Sequence, residues 1–155
     1  MEYSDLKTLT DVNASVATLG DLEGKRIGFT AGTGGEVYTM AVLKEAGLSP
    51  DDVTLVNLRP QEMLAALTSG SIDAYNTWEP HISNGIKTLG DKVTQLDTAG
   101  IYSETFNIVT TVDYLDENPV VAEKFMQALI DAEIWMEENP EDAITLVAKT
   151  VEMER

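Results

Sequence analysis

Four short apolar or β-branched runs alternate with three helical segments between residues 26 and 96, and this rhythm constrains the fold more than any other feature. Residues 26–30 read as a strand. Val37, Met40, Ala41 and Leu43 then recur at near-helical spacing until Gly47 stops the helix. Residues 53–58 form the second run. Pro60 opens a helix with Met63, Leu64, Ala66 and Leu67 facing inward, ended by Gly70. Ile72, Ala74 and Tyr75 mark a third strand, Pro80 to Leu89 a helix, and residues 93–96 a fourth strand. The pattern β-α-β-α-β-α-β predicts an α/β fold: a mainly parallel sheet of about four to five strands with helices on both faces.

The flanks are less regular. Residues 2–21 are polar without periodicity and read as an extended or loosely packed leader, with a short strand near 14–18. After a loop over 97–105, the β-branched run 106–112 predicts a further strand. Asn118-Pro119 starts the longest helix, where Val121, Phe125, Ala128, Leu129, Ala132 and Trp135 form an amphipathic stripe. Asn139-Pro140 breaks it, and a last helix over 141–151 turns Ile144, Val147 and Ala148 inward.

Composition removes several function classes. A chain of 155 residues with 43% hydrophobic content can bury one core, and no run of eighteen apolar residues is present to span a membrane. The start, Met1-Glu2-Tyr3-Ser4-Asp5-Leu6, lacks a basic region followed by an apolar one, so no secretory signal is read. Without cysteine there is neither a disulfide nor thiol chemistry, and a single histidine argues against His-rich metal sites and His-based triads. A formal charge of −17 argues against nucleic-acid or anionic-membrane surfaces, which need clustered Lys and Arg.

The candidate site lies at the ends of the strands. Ala31-Gly32-Thr33-Gly34-Gly35 joins the first strand to its helix. Gly34 and Gly35 let backbone amides approach a ligand, and the helix start offers unpaired N–H groups at a positive dipole end. Thr30 and Thr33 add hydroxyls, which makes this turn a seat for a small anion. Parallel strands end on one side, so Arg59 and Gln61 belong near it, as do Asn76, Thr77, Trp78 and Glu79. The plainer alternative has the glycine run as a tight turn, Trp78 in a core and Glu79 favouring the next helix start. No Gly-Lys-Ser/Thr follows the glycines, so the turn is not a nucleotide-binding P-loop.

Several segments in order resemble one family. Asp21-Leu22-Glu23-Gly24-Lys25-Arg26-Ile27-Gly28 looks like the entry of the sulfonate/nitrate/taurine-type substrate-binding proteins of ABC importers, the NMT1/THI5-like or SsuA/TauA-like family. Gly47 to Val53, the box 70–74, Trp78-Glu79-Pro80, Asn118-Pro119 and Glu138-Asn139-Pro140-Glu141 follow at family-like spacings, so the likeness covers about residues 18 to 153. It implies a type II periplasmic-binding-protein-like lobe with C-terminal helices, organised as 1–20 leader or partial hinge, 21–112 ligand-binding lobe and 113–155 truncated helices. It matches only the second of two lobes. The chain is therefore expected to be a fragment that holds half of a site, binds weakly and self-associates as a homodimer or with exchanged helices.

By that resemblance the function is solute binding for import, not catalysis. The solute is a small anion or zwitterion, a sulfonate, taurine, nitrate or similar. The partners are an ABC permease and ATPase, the parent protein is periplasmic or extracellular and membrane-anchored, and no cofactor or metal is implied. A pyrimidine-precursor enzyme or a sensory ligand-binding domain on the same lobe is the competing class.

Overall fold

The computed structural model describes residues 6–150, which fall into two compact units, Met1–Thr105 and Phe106–Arg155. The first unit carries a five-stranded sheet: β1 (Lys7–Asp11), β2 (Arg26–Phe29), β3 (Thr54–Asn57), β4 (Ala74–Thr77) and β5 (Val93–Gln95), in the order β3-β2-β4-β1-β5. β2 runs parallel to both β3 and β4, while β1 runs antiparallel to β4 and β5. Four strands thus share one direction, as the βα rhythm predicts, and β1 alone opposes them. The helices are α1 (Gly34–Glu45), α2 (Pro60–Thr68) and α3 (His81–Leu89).

Both faces of the sheet are covered because successive strand residues point to opposite sides. Ile27 and Ala74 pack with Leu22, Tyr38, Val42, Leu43 and Leu96 on the α1 face. Leu9 and Tyr75 pack with Met63, Leu67, Ile72 and Ile82 on the α2–α3 face. The buried side of α1 is Gly35, Tyr38, Thr39, Val42 and Leu43, whereas Val37, expected inside, is exposed. Tyr38 and Thr39 take its place because their hydroxyls find partners in the interior.

The largest correction concerns the amino-terminal segment. Residues expected to be a loose leader include β1, which lies between β4 and β5 with Thr8, Leu9 and Thr10 buried. The strand is at Lys7–Asp11 and not near 14–18, where a short 3₁₀ turn (Val12–Ala14) ends instead. Lys-Thr-Leu-Thr-Asp shows no apolar run, yet its threonines are satisfied inside. Thr8 Oγ1 donates to Asn76 Oδ1 at 2.7 Å, and Thr10 Oγ1 donates to the Thr94 carbonyl at 3.1 Å. A buried hydroxyl with a partner costs little, so a polar strand can occupy an interior position.

One ion pair ties β2 to the turn before β4. Arg26 Nε and Nη2 donate to the two Asp73 carboxylate oxygens at 3.0 and 2.7 Å, and Arg26 Nη1 donates to the Gly70 carbonyl at 2.6 Å. This fork holds the Asp73 carboxyl below the usual carboxylate range. A depressed folded value means the stabilisation is present above the unfolded value near 4 and is lost as pH falls through the lower folded one. Asp73→Asn is expected to cost about 1 kcal/mol at pH 7, since solvent screens the Arg26 end. The deficit should shrink as pH falls below the ordinary carboxylate range. Urea titrations of both forms at pH 7 and pH 3 check this; an equal deficit at both would disprove the linkage.

The second unit contains α4 (Val112–Glu117), α5 (Pro119–Glu138) and α6 (Pro140–Thr150). Asn118-Pro119 and Asn139-Pro140 begin α5 and α6 as expected, since proline at N1 forgoes a donor that has no partner there. Residues 106–111 form no strand, and Val112 opens α4 with Thr111 as its cap. Among the described residues the ladders join only β1 to β5, and β-branched character makes a strand only where an edge supplies hydrogen bonds. Ile144 and Val147 of α6, expected inward, are exposed, and only Ala143 is buried there. Val121, Phe125, Leu129 and Trp135 on α5 are also exposed.

Candidate functional site

The sheet order reverses at β2. The chain passes from β2 through α1 to β3 on one side, then returns through α2 to β4 on the other. In open parallel sheets ligands bind in the crevice beyond the carboxyl ends of the strands at such a reversal, here between β2 and β4. The turn after β2 and the residues after β4 are therefore brought to one edge by topology.

At that edge the start of α1 is tightly organised. Thr33 is its N-cap: Oγ1 accepts from Gly35 N at 3.1 Å and donates to the Thr30 carbonyl at 2.7 Å. Thr30 Oγ1 donates to the Leu58 carbonyl at 2.9 Å, and Gly32 N donates to Glu36 Oε2 at 2.7 Å. Both threonine hydroxyls thus spend their protons on holding the turn. What they offer a ligand is a fixed backbone, with the positive end of a twelve-residue helix behind it.

Trp78 lies against this turn. A Cβ added to Gly35 would stand 3.3 Å from Trp78 Cζ3 and 3.2 Å from Thr33 Oγ1, so the indole edge rests closely on the first turn and a side chain there would push it back by a few tenths of an ångström. Gly34 is similarly crowded: an added Cβ would stand 2.6 Å from Glu104 Oε1 and 3.7 Å from Tyr102 Oη. Trp78 is half-buried and also meets the His81 ring edge-on, with centroids 6.5 Å apart. Burial holds the His81 imidazole below its ordinary value against an opposing pull from the Glu79 charge.

The other strand-end residues sit differently. Asn76 is buried and bridges two elements: its Oδ1 accepts from Thr8 and its Nδ2 donates to Thr39 Oγ1 at 2.9 Å. Thr39 in turn donates to the Gly35 carbonyl at 2.7 Å. Thr77 is fully buried, and neither its hydroxyl nor that of Tyr75 has a partner among the described residues. Burial first, then the Glu79 charge, pushes the Tyr75 hydroxyl up to about 12. Glu79 is exposed and its Oε2 accepts from Ser83 N at 3.0 Å, which caps the start of α3. Arg59 and Gln61 are exposed at the start of α2, and Arg59 N donates to Glu62 Oε2 at 3.0 Å. The structure brings Thr33, Gly34, Gly35 and Trp78 together; it places Asn76 and Thr77 behind them in the interior.

Sequence reasoning passed over Tyr102 and Glu104, which lie in the loop after β5. That loop leaves the carboxyl end of a strand running with β2 and β4, which was the signal available for it. Tyr38 and Thr98 were also missed. Tyr38 Oη donates to Thr98 Oγ1 at 2.9 Å and lies 3.1 Å from Thr8 Oγ1, and the Tyr38 and Tyr102 rings meet edge-on at 6.1 Å.

Known proteins match this architecture. The chain is 30% identical over 132 residues to the taurine-binding periplasmic protein of Escherichia coli (strain K12), covering 84% of this chain and 41% of that protein. The fold superposes with a TM-score of 0.84 on the periplasmic aliphatic sulphonate binding protein SsuA from Escherichia coli, at 24% identity over 97% of this chain and 48% of that one. The alkanesulfonate-binding protein SsuA from Xanthomonas axonopodis pv. citri, solved bound to MOPS, superposes with a TM-score of 0.78 at 25% identity, covering 97% of this chain and 52% of that one. The chain spans about half the length of the relatives it matches. Residues 4–143 match the family described as NMT1/THI5 like, and with this α/β architecture beneath the match, the chain belongs to that family.

Proposed function

We propose that the first unit is a solute-binding lobe of an ABC importer, and that it holds a small sulfonate or related oxyanion without transforming it. The observation that carries this reading is the meeting of the Gly34–Gly35 helix start with the Trp78 indole at the reversal between β2 and β4. The helix start attracts an anionic head, and the indole offers a wall to the carbon chain behind it. Taurine and aliphatic sulfonates, named for the relatives, have that form. Permease and ATPase partners and a periplasmic or extracellular setting come with the same reading. The Thr30 and Thr33 hydroxyls donate to carbonyls, not to a general base, which suits binding without turnover.

Amide chemical shifts of the 155-residue chain, titrated with ethanesulfonate and taurine to millimolar concentration, test this. Shifts are expected at residues 32–36 and at the Trp78 indole. Trp78→Ala should weaken binding by about tenfold, the equivalent of 1.4 kcal/mol, with its folded baseline checked by thermal unfolding. Saturable shifts confined to other surfaces would rule the site out.

A further inference from the structure

Asn13-Ala14-Ser15 is the only place in the chain where an asparagine stands two residues before a serine or threonine with no proline between them. Transfer of a glycan to an asparagine amide needs that spacing, because the transferase holds the hydroxyl while the amide is presented for reaction. The structure puts the triplet within reach of such an enzyme. Asn13 and Ser15 are both exposed, in and directly after the 3₁₀ turn Val12–Ala14 that follows β1. Ser15, at φ 55° and ψ 43°, is the one non-glycine residue with positive φ among the described residues, so the chain turns sharply there. Its hydroxyl has no hydrogen-bond partner among the described residues.

The amide itself is prepared. Asp11 Oδ1 accepts from Asn13 N at 2.8 Å and from Asn13 Nδ2 at 2.9 Å, and Lys25 Nζ holds the Ala14 carbonyl at 2.8 Å. An amide nitrogen is a poor nucleophile because its lone pair is shared with the carbonyl. A carboxylate drawing on the Nδ2 hydrogen returns electron density to that nitrogen. The turn also stands away from the solute crevice. β1 runs antiparallel to β4, with Thr10 beside Ala74 and Lys7 beside Thr77, and Asp11 N donates to the Asp73 carbonyl at 3.0 Å. Asn13 therefore follows the edge where β4 begins, opposite the edge where Trp78 leaves it.

Resting on the periplasmic or extracellular setting of the solute-binding reading above, we propose that Asn13 is an N-glycosylation acceptor whose glycan leaves solute binding intact. The donor is a lipid-diphosphate-linked oligosaccharide. The bond from Nδ2 to C1 of the first sugar forms as the bond from C1 to the diphosphate oxygen breaks. The lipid diphosphate leaves with the bonding electron pair, and Nδ2 gives up one proton to a base of the transferase.

The folded 155-residue chain, incubated with an N-oligosaccharyltransferase and its lipid-linked donor, tests this beside an acceptor peptide as positive control. Intact mass is expected to rise by one glycan, carried on the tryptic peptide Thr8–Lys25. Asn13→Gln should abolish the gain. Ser15→Gly, which keeps the left-handed turn and removes only the hydroxyl, should abolish it too. The affinity of the glycosylated chain for ethanesulfonate should stay within about twofold of the unmodified one. A chain left unmodified while the control peptide is converted would overturn the proposal, as would a gain that persists in Asn13→Gln. A tenfold or greater loss of ethanesulfonate affinity on glycosylation, about 1.4 kcal/mol, would overturn the separation from the crevice. If the chain takes the glycan but neither form binds ethanesulfonate, the solute-binding reading fails and the acceptor site stands.

Discussion

Leu9→Ala is expected to destabilise the first unit by about 3 kcal/mol, within the range of roughly 2–5 kcal/mol found when a buried leucine is truncated. Leu9 has no exposed surface and sits on the middle of β1, opposite Tyr75 on one neighbouring strand and Gln95 on the other. Its side chain packs with Met63, Leu67, Ile72, Tyr75 and Ile82, so removing three carbons leaves a cavity against α2, α3, β4 and the turn before β4. The neighbours cannot close in cheaply. Tyr75 is backed by Gly85, where its hydroxyl already lies closer than any side chain would allow. A leucine in a loosely packed leader would cost no more than about 0.5 kcal/mol on the same change. Denaturant unfolding of Leu9→Ala therefore decides directly whether β1 belongs to the core, and a loss below 1 kcal/mol would remove it from there.

Asn76→Ala is expected to cost about 2–3 kcal/mol of stability, more than its effect on solute affinity. The amide is buried and joins β1 to α1, accepting from Thr8 and donating to Thr39, whose hydroxyl holds the Gly35 carbonyl. Alanine would take one partner from each of two buried hydroxyls, since Thr8 loses its acceptor and Thr39 its donor. The Thr8 side chain keeps its contact with Tyr38 Oη, which limits the loss. Affinity should change only as the first turn of α1 loosens, by a few-fold at most. Paired unfolding and binding measurements on this variant distinguish an interior bridge from a ligand contact: stability unchanged with affinity abolished would assign Asn76 to the solute.

The alternation of β2, α1, β3, α2, β4, α3 and β5 was legible because each piece is local. Apolar periodicity, a proline at a helix start and a glycine at its end lie within a dozen residues of one another, and they specify which face of each element turns inward. The parallel pairing of β2 with β3 and β4 follows, because a helical crossover returns the chain to run in the same direction. The position of the candidate site followed in part, since the Thr33–Gly34–Gly35 turn and Trp78 each stand directly after a strand.

The tertiary structure alone decided what the polar residues do. Lys-Thr-Leu-Thr-Asp becomes a central strand because Asn76, Tyr38 and the Thr94 carbonyl meet its threonines, and none of those partners is near in sequence. Asn76 turns inward for the same reason, and the Thr30 and Thr33 hydroxyls turn to carbonyls that the fold places beside them. Residues 106–111 have strand propensity but join no ladder among the described residues, since propensity supplies no hydrogen-bond partner. Glu104 lies beside Gly34 in a loop whose Thr98 and Tyr102 both meet Tyr38, a residue far away in sequence. Apolar burial is announced by local pattern because any apolar neighbour will serve. A buried polar group needs one particular partner, and which residue that is depends on the whole chain path.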